Sequence, residues 1–146
     1  MNNGDGKIEA DLITIEVGAN DTGVVTSGNL GNYWDTDDTT YCGRLNQCLK
    51  NLQENTNAQI LVISSPHSAD ENKKNKFLID EATEKCCRYN GVQYLSASCN
   101  LGADKLSVTD TKYLAKDHTE IHQSELGGYI YASHIWGKLK TMPLFY

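Results

Sequence analysis

The sequence predicts an α/β fold, a parallel sheet covered by helices. Short β-branched runs recur along the chain, and each is followed by a stretch whose apolar residues repeat with helical spacing. The order is strand, helix, strand, helix, strand, helix. Parallel neighbours need crossover connections, and this alternation supplies them. At 146 residues, 39% of them hydrophobic, the chain has enough apolar material for one domain with its own core.

Leu12 to Val17 (LITIEV) reads as a buried strand that stops at Gly18. Residues 22–38 read as a long loop rich in Gly, Asp, Thr and Asn, in which Tyr33 and Trp34 are large aromatic groups. From Thr39 to Asn55 the spacing of Leu45, Cys48, Leu49 and Leu52 predicts a helix, with Asp38 or Thr39 as its cap. Ile60 to Ile63 (ILVI) is a second buried strand, running into Ser64, Ser65 and Pro66. A second helix is expected over 75–89, with Leu78, Ala82, Cys86 and Tyr89 on one face and Gly91 as its stop. Val92 to Leu95 forms a third strand. Ser124 and Glu125 open a last helix to about Lys140, with Ala132, Ile135, Trp136 and Leu139 as its apolar stripe.

Composition excludes several classes of function. A net charge of −6 with scattered Lys and Arg argues against nucleic acid, because phosphate binding needs clustered cations. Lys73, Lys74 and Lys76 sit among Asn and Glu and read as a solvated turn before a helix. No stretch approaches the roughly 20 apolar residues of a membrane span. The polar start MNNGDGKIEAD shows no signal-peptide pattern, so a cytoplasmic location is expected. The cysteines Cys42, Cys48, Cys86, Cys87 and Cys99 lack metal-type spacing and are expected as buried free thiols, with no metal and no cofactor.

Two constellations carry chemistry. Gly18-Ala19-Asn20-Asp21 lies at the C-terminal end of the first strand, where open α/β sheets bind ligands. Gly18 permits a tight turn, and the Asn20 amide can aim an N–H at a developing oxyanion. An Asn-Asp turn that merely ends a strand explains the same residues. Further on, Asp117-His118-Thr119-Glu120-Ile121-His122 places two histidines among acids, just before the last helix. Either His118 or His122 suits a general base held in one tautomer by an acceptor. Both also pass as ordinary loop histidines. Ser64 and Ser65, with His67 nearby, end a strand on the same rim, but nothing in ISSPHS presents an activated serine.

LITIEVGAND resembles the GxND block of SGNH (GDSL-type) hydrolases, and IHQSELGGYIYASHIW resembles the block in which their catalytic histidine precedes the final helix. About a hundred residues separate the two, as in small members of that family. The resemblance runs from Asp11 onward. It implies a flavodoxin-like three-layer domain spanning residues 1–146, hydrolysing a carboxylic ester or an acetyl ester such as an acetylated carbohydrate. Asn20 would be the side-chain oxyanion donor, Gly18 the turn that places it, and His122 the general base. The family's acid lies three residues before its histidine, a position held here by Thr119. Asp117, five residues before His122, is the preferred substitute, with Glu120 the alternative.

The family's Gly-Asp-Ser nucleophile block has no counterpart in the ten residues before Asp11. The domain is therefore expected to lack its first strands and to hydrolyse esters poorly alone. The 12–17 strand would be left as an open edge, inviting a homo-oligomer through it. Two other readings compete. One is a non-catalytic binding module that uses the 22–38 loop, with Tyr33 and Trp34 stacking on a sugar or acyl chain over the pocket. The other is a cysteine redox protein, for which no thiol has an evident activating partner.

Overall fold

The computed structural model describes residues 9–64, 73–97 and 124–143. Three strands, β1 (Leu12–Val17), β2 (Gln59–Ser64) and β3 (Gln93–Leu95), form one sheet in the order β1-β2-β3. Both pairings are parallel, with Leu12 opposite Gln59, Val17 opposite Ser64, and Leu61 opposite Gln93. The helices are α1 (Thr22–Thr26), α2 (Tyr41–Asn55), α3 (Lys73–Asn90) and α4 (Glu125–Leu139). The α/β class read from the sequence is the class observed.

The sheet is sandwiched because its central strand, β2, is apolar on both faces. On one face Ile15, Val17, Ile60, Val62 and Tyr94 pack against Leu45 and Leu49 of α2 and Ile79, Ala82 and Cys86 of α3. On the other, Leu12, Leu61, Ile63 and Leu95 meet Tyr131, Ile135 and Leu139 of α4 and the buried Met142. Alternate residues of β2 therefore serve different layers, as the strand period of two requires. Ile60 to Ile63 are all buried, which explains why this strand reads as a continuous apolar run.

Several boundaries differ from the sequence expectation. The 22–38 stretch is not all loop: Val24 N–H bonds to the Asp21 carbonyl and opens the short α1, whose Val24 and Val25 pack on the core. The cap of α2 is Thr40, whose hydroxyl accepts Gly43 N–H at 3.0 Å, not Asp38 or Thr39. Asp37 instead accepts the Thr39 amide, closing a turn just upstream. The Lys73 to Lys76 stretch is the first turn of α3 and not a turn before it. Gly91, at φ +68°, ends α3 as expected, with Val92 N–H returning to the Cys87 carbonyl.

Two faces are rotated from their expected stripes. On α4, Ile135 and Leu139 pack as expected, but Tyr131 joins them while Ala132 and Trp136 face outward. On α3 the buried set is Ile79, Ala82, Thr83, Cys86 and Cys87, and Tyr89 is exposed. Cys48 of α2 is also exposed, and the buried polar position of that helix is Asn46. Among the described residues, no helix is long and apolar enough to cross a membrane.

Candidate functional site

The turn that follows β1 is braced from two helices. Gly18 is buried at φ +92°, and a Cβ there would lie 3.0 Å from Cγ2 of Ile79 and 4.0 Å from the Tyr41 hydroxyl. Only glycine meets both conditions without strain. Lys76, at the start of α3, donates from Nζ to the Ala19 carbonyl at 2.6 Å. The Tyr41 hydroxyl, at the start of α2, lies 2.8 Å from Thr83 Oγ1, which itself bonds the Ile79 carbonyl at 2.7 Å. Thr83 spends its one hydroxyl proton on that carbonyl, so Tyr41 donates to Thr83. Burial raises the Tyr41 phenol well above its ordinary range and keeps it a neutral donor.

The braced turn holds Asn20 out at the C-terminal rim of the sheet. Its side chain is exposed and makes no hydrogen bond to any described residue, so both carboxamide N–H groups are available. Asn20 lines a cavity of about 430 Å³ that runs from the turn along the outer side of β1. One face of α2 (Tyr41, Arg44, Leu45 and Cys48, at helical spacing) roofs it, and Ile15, Glu16 and Val17 form its floor. Asp21 and Arg44 give the cavity both signs of charge. Burial raises the Glu16 carboxyl above its usual range, and the Tyr131 hydroxyl across the sheet offsets part of that rise.

The other expected site residues fall in three places. His122 and Asp117, with His118, Glu120, Ser65 and His67, lie outside the described residues. Ser64 is 3% exposed, and its Oγ accepts Ala97 N–H at 2.8 Å. It ties the ends of β2 and β3 together, which leaves it no access to a substrate. Tyr33 and Trp34 do not cover the Asn20 cavity. They pack edge to face at 4.6 Å, with Tyr33 also 5.9 Å from Tyr89 near the C-terminus of α3. The thirteen-residue advance along α3 from Lys76, which touches the Asn20 turn, to Tyr89 spans about 20 Å.

What holds that aromatic group is Asn46, which the sequence reading passed over as a polar helix residue. It is 4% exposed. Its Nδ2 donates to the carbonyls of Tyr33 and Asp35, both at 2.8 Å, and its Oδ1 accepts from Asn90 at 2.7 Å. Gln47 adds a bond to the Thr36 carbonyl at 2.6 Å. The signal available was a polar residue one step from a core leucine at the same helical level.

Of the four described thiols, Cys48 is exposed and the other three are enclosed. Cys42, Cys86 and Cys87 are buried in the α2–α3 layer. Burial pushes Cys87 up to about 12, while hydrogen bonding with Cys42 and then burial raise Cys86 further. Held protonated and enclosed, Cys86 and Cys87 are inert, while the hydrogen bond with Cys86 lowers Cys42.

The described elements define a three-layer α/β domain with a polar turn at the C-terminal rim of a parallel sheet. No family model matches the chain, and no curated protein matches it. Two solved structures resemble it. One is the crystal structure of a Lactobacillus plantarum protein determined in a structural-genomics programme, with a TM-score of 0.76 and 24% identity over 91% of this chain and 68% of that one. The other is a crystal structure with a TM-score of 0.76 and 15% identity, covering 92% of this chain and 67% of that one. At these identities the likeness is one of fold.

Proposed function

We propose that this chain carries the oxyanion-binding side of an SGNH-type serine hydrolase site acting on carboxylic or acetyl esters, acetylated carbohydrates among them. The observation that carries the proposal is Asn20, an uncommitted carboxamide held by the buried, positive-φ Gly18 at the C-terminal rim of the sheet. An oxyanion donor has to be pre-placed, because stabilisation is greatest when nothing reorganises as charge develops. The braces from Lys76, Ile79 and Tyr41 favour that role over a simple strand-ending turn, which has no need of them.

In this reading the ester carbonyl oxygen sits against Asn20 Nδ2 and gains negative charge as a serine hydroxyl attacks the carbon. His122 takes the serine proton and then returns it to the leaving alcohol, and Asp117 holds its imidazole in one tautomer. The 146 residues contain no Gly-Asp-Ser, and Ser64 is enclosed. This reading assigns the attacking serine to a further segment, because neither that motif nor an accessible Ser64 supplies it here. Purified chain and an Asn20→Ala, His122→Ala double variant are compared for p-nitrophenyl acetate hydrolysis. Both are expected to match the buffer blank. A wild-type rate clearly above the double variant would refute the need for a further serine.

A second reading is favoured by the aromatic group near the C-terminal end of α3. Tyr33, Trp34 and Tyr89 are 40%, 52% and 56% exposed although they touch one another, so their ring faces remain open to a flat ligand. Sugars stack on such surfaces. This is a binding platform for carbohydrate, separate from the ester site. A saturable change in Trp34 emission on adding an acetylated oligosaccharide supports it, and an unchanged emission contradicts it.

A further inference from the structure

Helices α2 and α3 are successive crossovers of a parallel sheet and pack on the same face of it, so they run in the same direction. Their register is fixed by the bond from Asn90 Nδ2 to Asn46 Oδ1. One turn back along both helices, from 46 to 42 and from 90 to 86, sets Cys42 opposite Cys86. The two side chains hydrogen-bond, as that register requires. Just beyond them Tyr41 meets Thr83, so the thiols lie between two polar rungs that join the same helices.

The two cysteines are not equivalent. Cys86 donates its S–H to Cys42 Sγ, which holds Cys42 below the ordinary thiol range and Cys86 above it. Both are enclosed, at 1% and 0% exposure, but Cys42 is the shallower. Its Sγ lies 3.7 Å from the carbonyl oxygen of Gly31, a residue exposed on the loop before α2. The sulfur with more thiolate character is thus separated from water by one layer of loop. Thiolate character and access decide which cysteine oxidises, and only a small oxidant fits this approach.

We infer that Cys42 and Cys86 are a peroxide-responsive dithiol pair whose disulfide clamps α2 to α3. The Cys42 thiolate attacks one oxygen of hydrogen peroxide and the O–O bond breaks. Cys42 becomes a sulfenic acid, and the other oxygen leaves as hydroxide, which takes a proton to become water. Cys86 is inert towards outside reagents, but it already touches this sulfur. Its Sγ displaces the sulfenic hydroxyl, an S–S bond forms, and the Cys86 proton leaves with that oxygen as a second water. The pair loses two electrons, and the peroxide is reduced to two waters. The clamp sits between the Tyr41–Thr83 bond beside the Gly18 turn and the Asn46–Asn90 bond behind the aromatic loop, so oxidation stiffens the support of both. The inference does not depend on the ester-hydrolase reading.

The test uses the full chain, reduced, freed of reductant and exposed while folded to a small excess of hydrogen peroxide. It is then unfolded in an alkylating reagent and mapped by mass spectrometry. A linked Cys42–Cys86 peptide pair, lighter by two hydrogens than the free thiols, is expected as the main disulfide, and a dithiol should reverse it. Chain oxidised in denaturant is the reference, because there Cys42 has no preferred partner among the five cysteines. The oxidised folded chain is expected to melt roughly 5–15 °C above the reduced one. Three results would overturn the inference: Cys42 and Cys86 both recovered as free thiols, pairing no more selective in the folded chain than in denaturant, or a cross-linked chain that melts no higher than the reduced one.

Discussion

Gly43→Ala is expected to destabilise the fold by about 2 kcal/mol, although alanine is the better helix former by about 1 kcal/mol. Gly43 lies in the first turn of α2, where a Cβ would sit 1.8 Å from the carbonyl oxygen of Asp37 and 2.9 Å from Thr40 Oγ1. No side-chain rotation relieves an overlap with backbone. The Asp37 turn would have to move, and it is fastened by the Asp37–Thr39 bond, by Thr40 as cap and by Gln47 on Thr36. Gly137→Ala in α4 is the matched control, because nothing lies within 4 Å of a Cβ there. That substitution is expected to stabilise by up to about 1 kcal/mol. Thermal unfolding should separate the pair by roughly 6–12 °C. Equal midpoints would mean that the 35–40 turn does not pack on α2.

Asn46→Ala is expected to cost about 2–3 kcal/mol and to loosen the aromatic group. It removes the acceptor for Asn90 and leaves the carbonyls of Tyr33 and Asp35 without their donor. Asn90 keeps its bond to the Cys86 carbonyl, so the damage falls mainly on the loop. The chain has two tryptophans, and a Trp136→Phe background leaves Trp34 as the reporter. Its emission is expected to shift to longer wavelength in the Asn46 variant, and any oligosaccharide response should weaken with it. An unchanged midpoint and spectrum would show that Asn46 does not anchor the loop.

These two positions show where the sequence stopped being informative. β1 appears with the bounds expected for it, and α2 and α3 begin and end within about two residues of theirs, because period and stop signals are local. Gly91 and Ser124 act as stop and cap for the same reason. The path of residues 30–37 is not local. Asn46, Gln47 and the space over Gly43 determine it, and their partners lie eleven to thirteen residues away or, for Gly43, in a clash that only glycine avoids. Composition therefore showed Tyr33 and Trp34 as aromatic groups on a loop but did not show that the loop lays them near Tyr89. The exposure of Tyr89 has a related origin: it lies at the end of α3, where the loop meets it edge on and does not cover it.

For the site, sequence showed Asn20 and Gly18 as a turn on the correct rim, and the structure adds the braces that hold that turn. The Lys76 bond to the Ala19 carbonyl and the packing of Tyr41 and Ile79 beside Gly18 come from helices more than 20 residues further along the chain, and no spacing rule connects them to Gly18. Ser64 was visible as a strand-end hydroxyl, but its burial against Ala97 depends on strand pairing that sequence alone does not reveal.

The most direct test of an oxyanion-binding role for Asn20 is an NMR titration of the labelled chain with methylphosphonate, a small tetrahedral anion. It needs no nucleophile and so reads the described half of the site directly. The Asn20 side-chain amide and the His122 ring resonances are expected to shift along a common saturation curve, which Asn20→Ala weakens at least tenfold. An Asn20 amide that does not move across the titration would contradict the proposal and leave Gly18 to Asp21 as a braced turn with no oxyanion to bind.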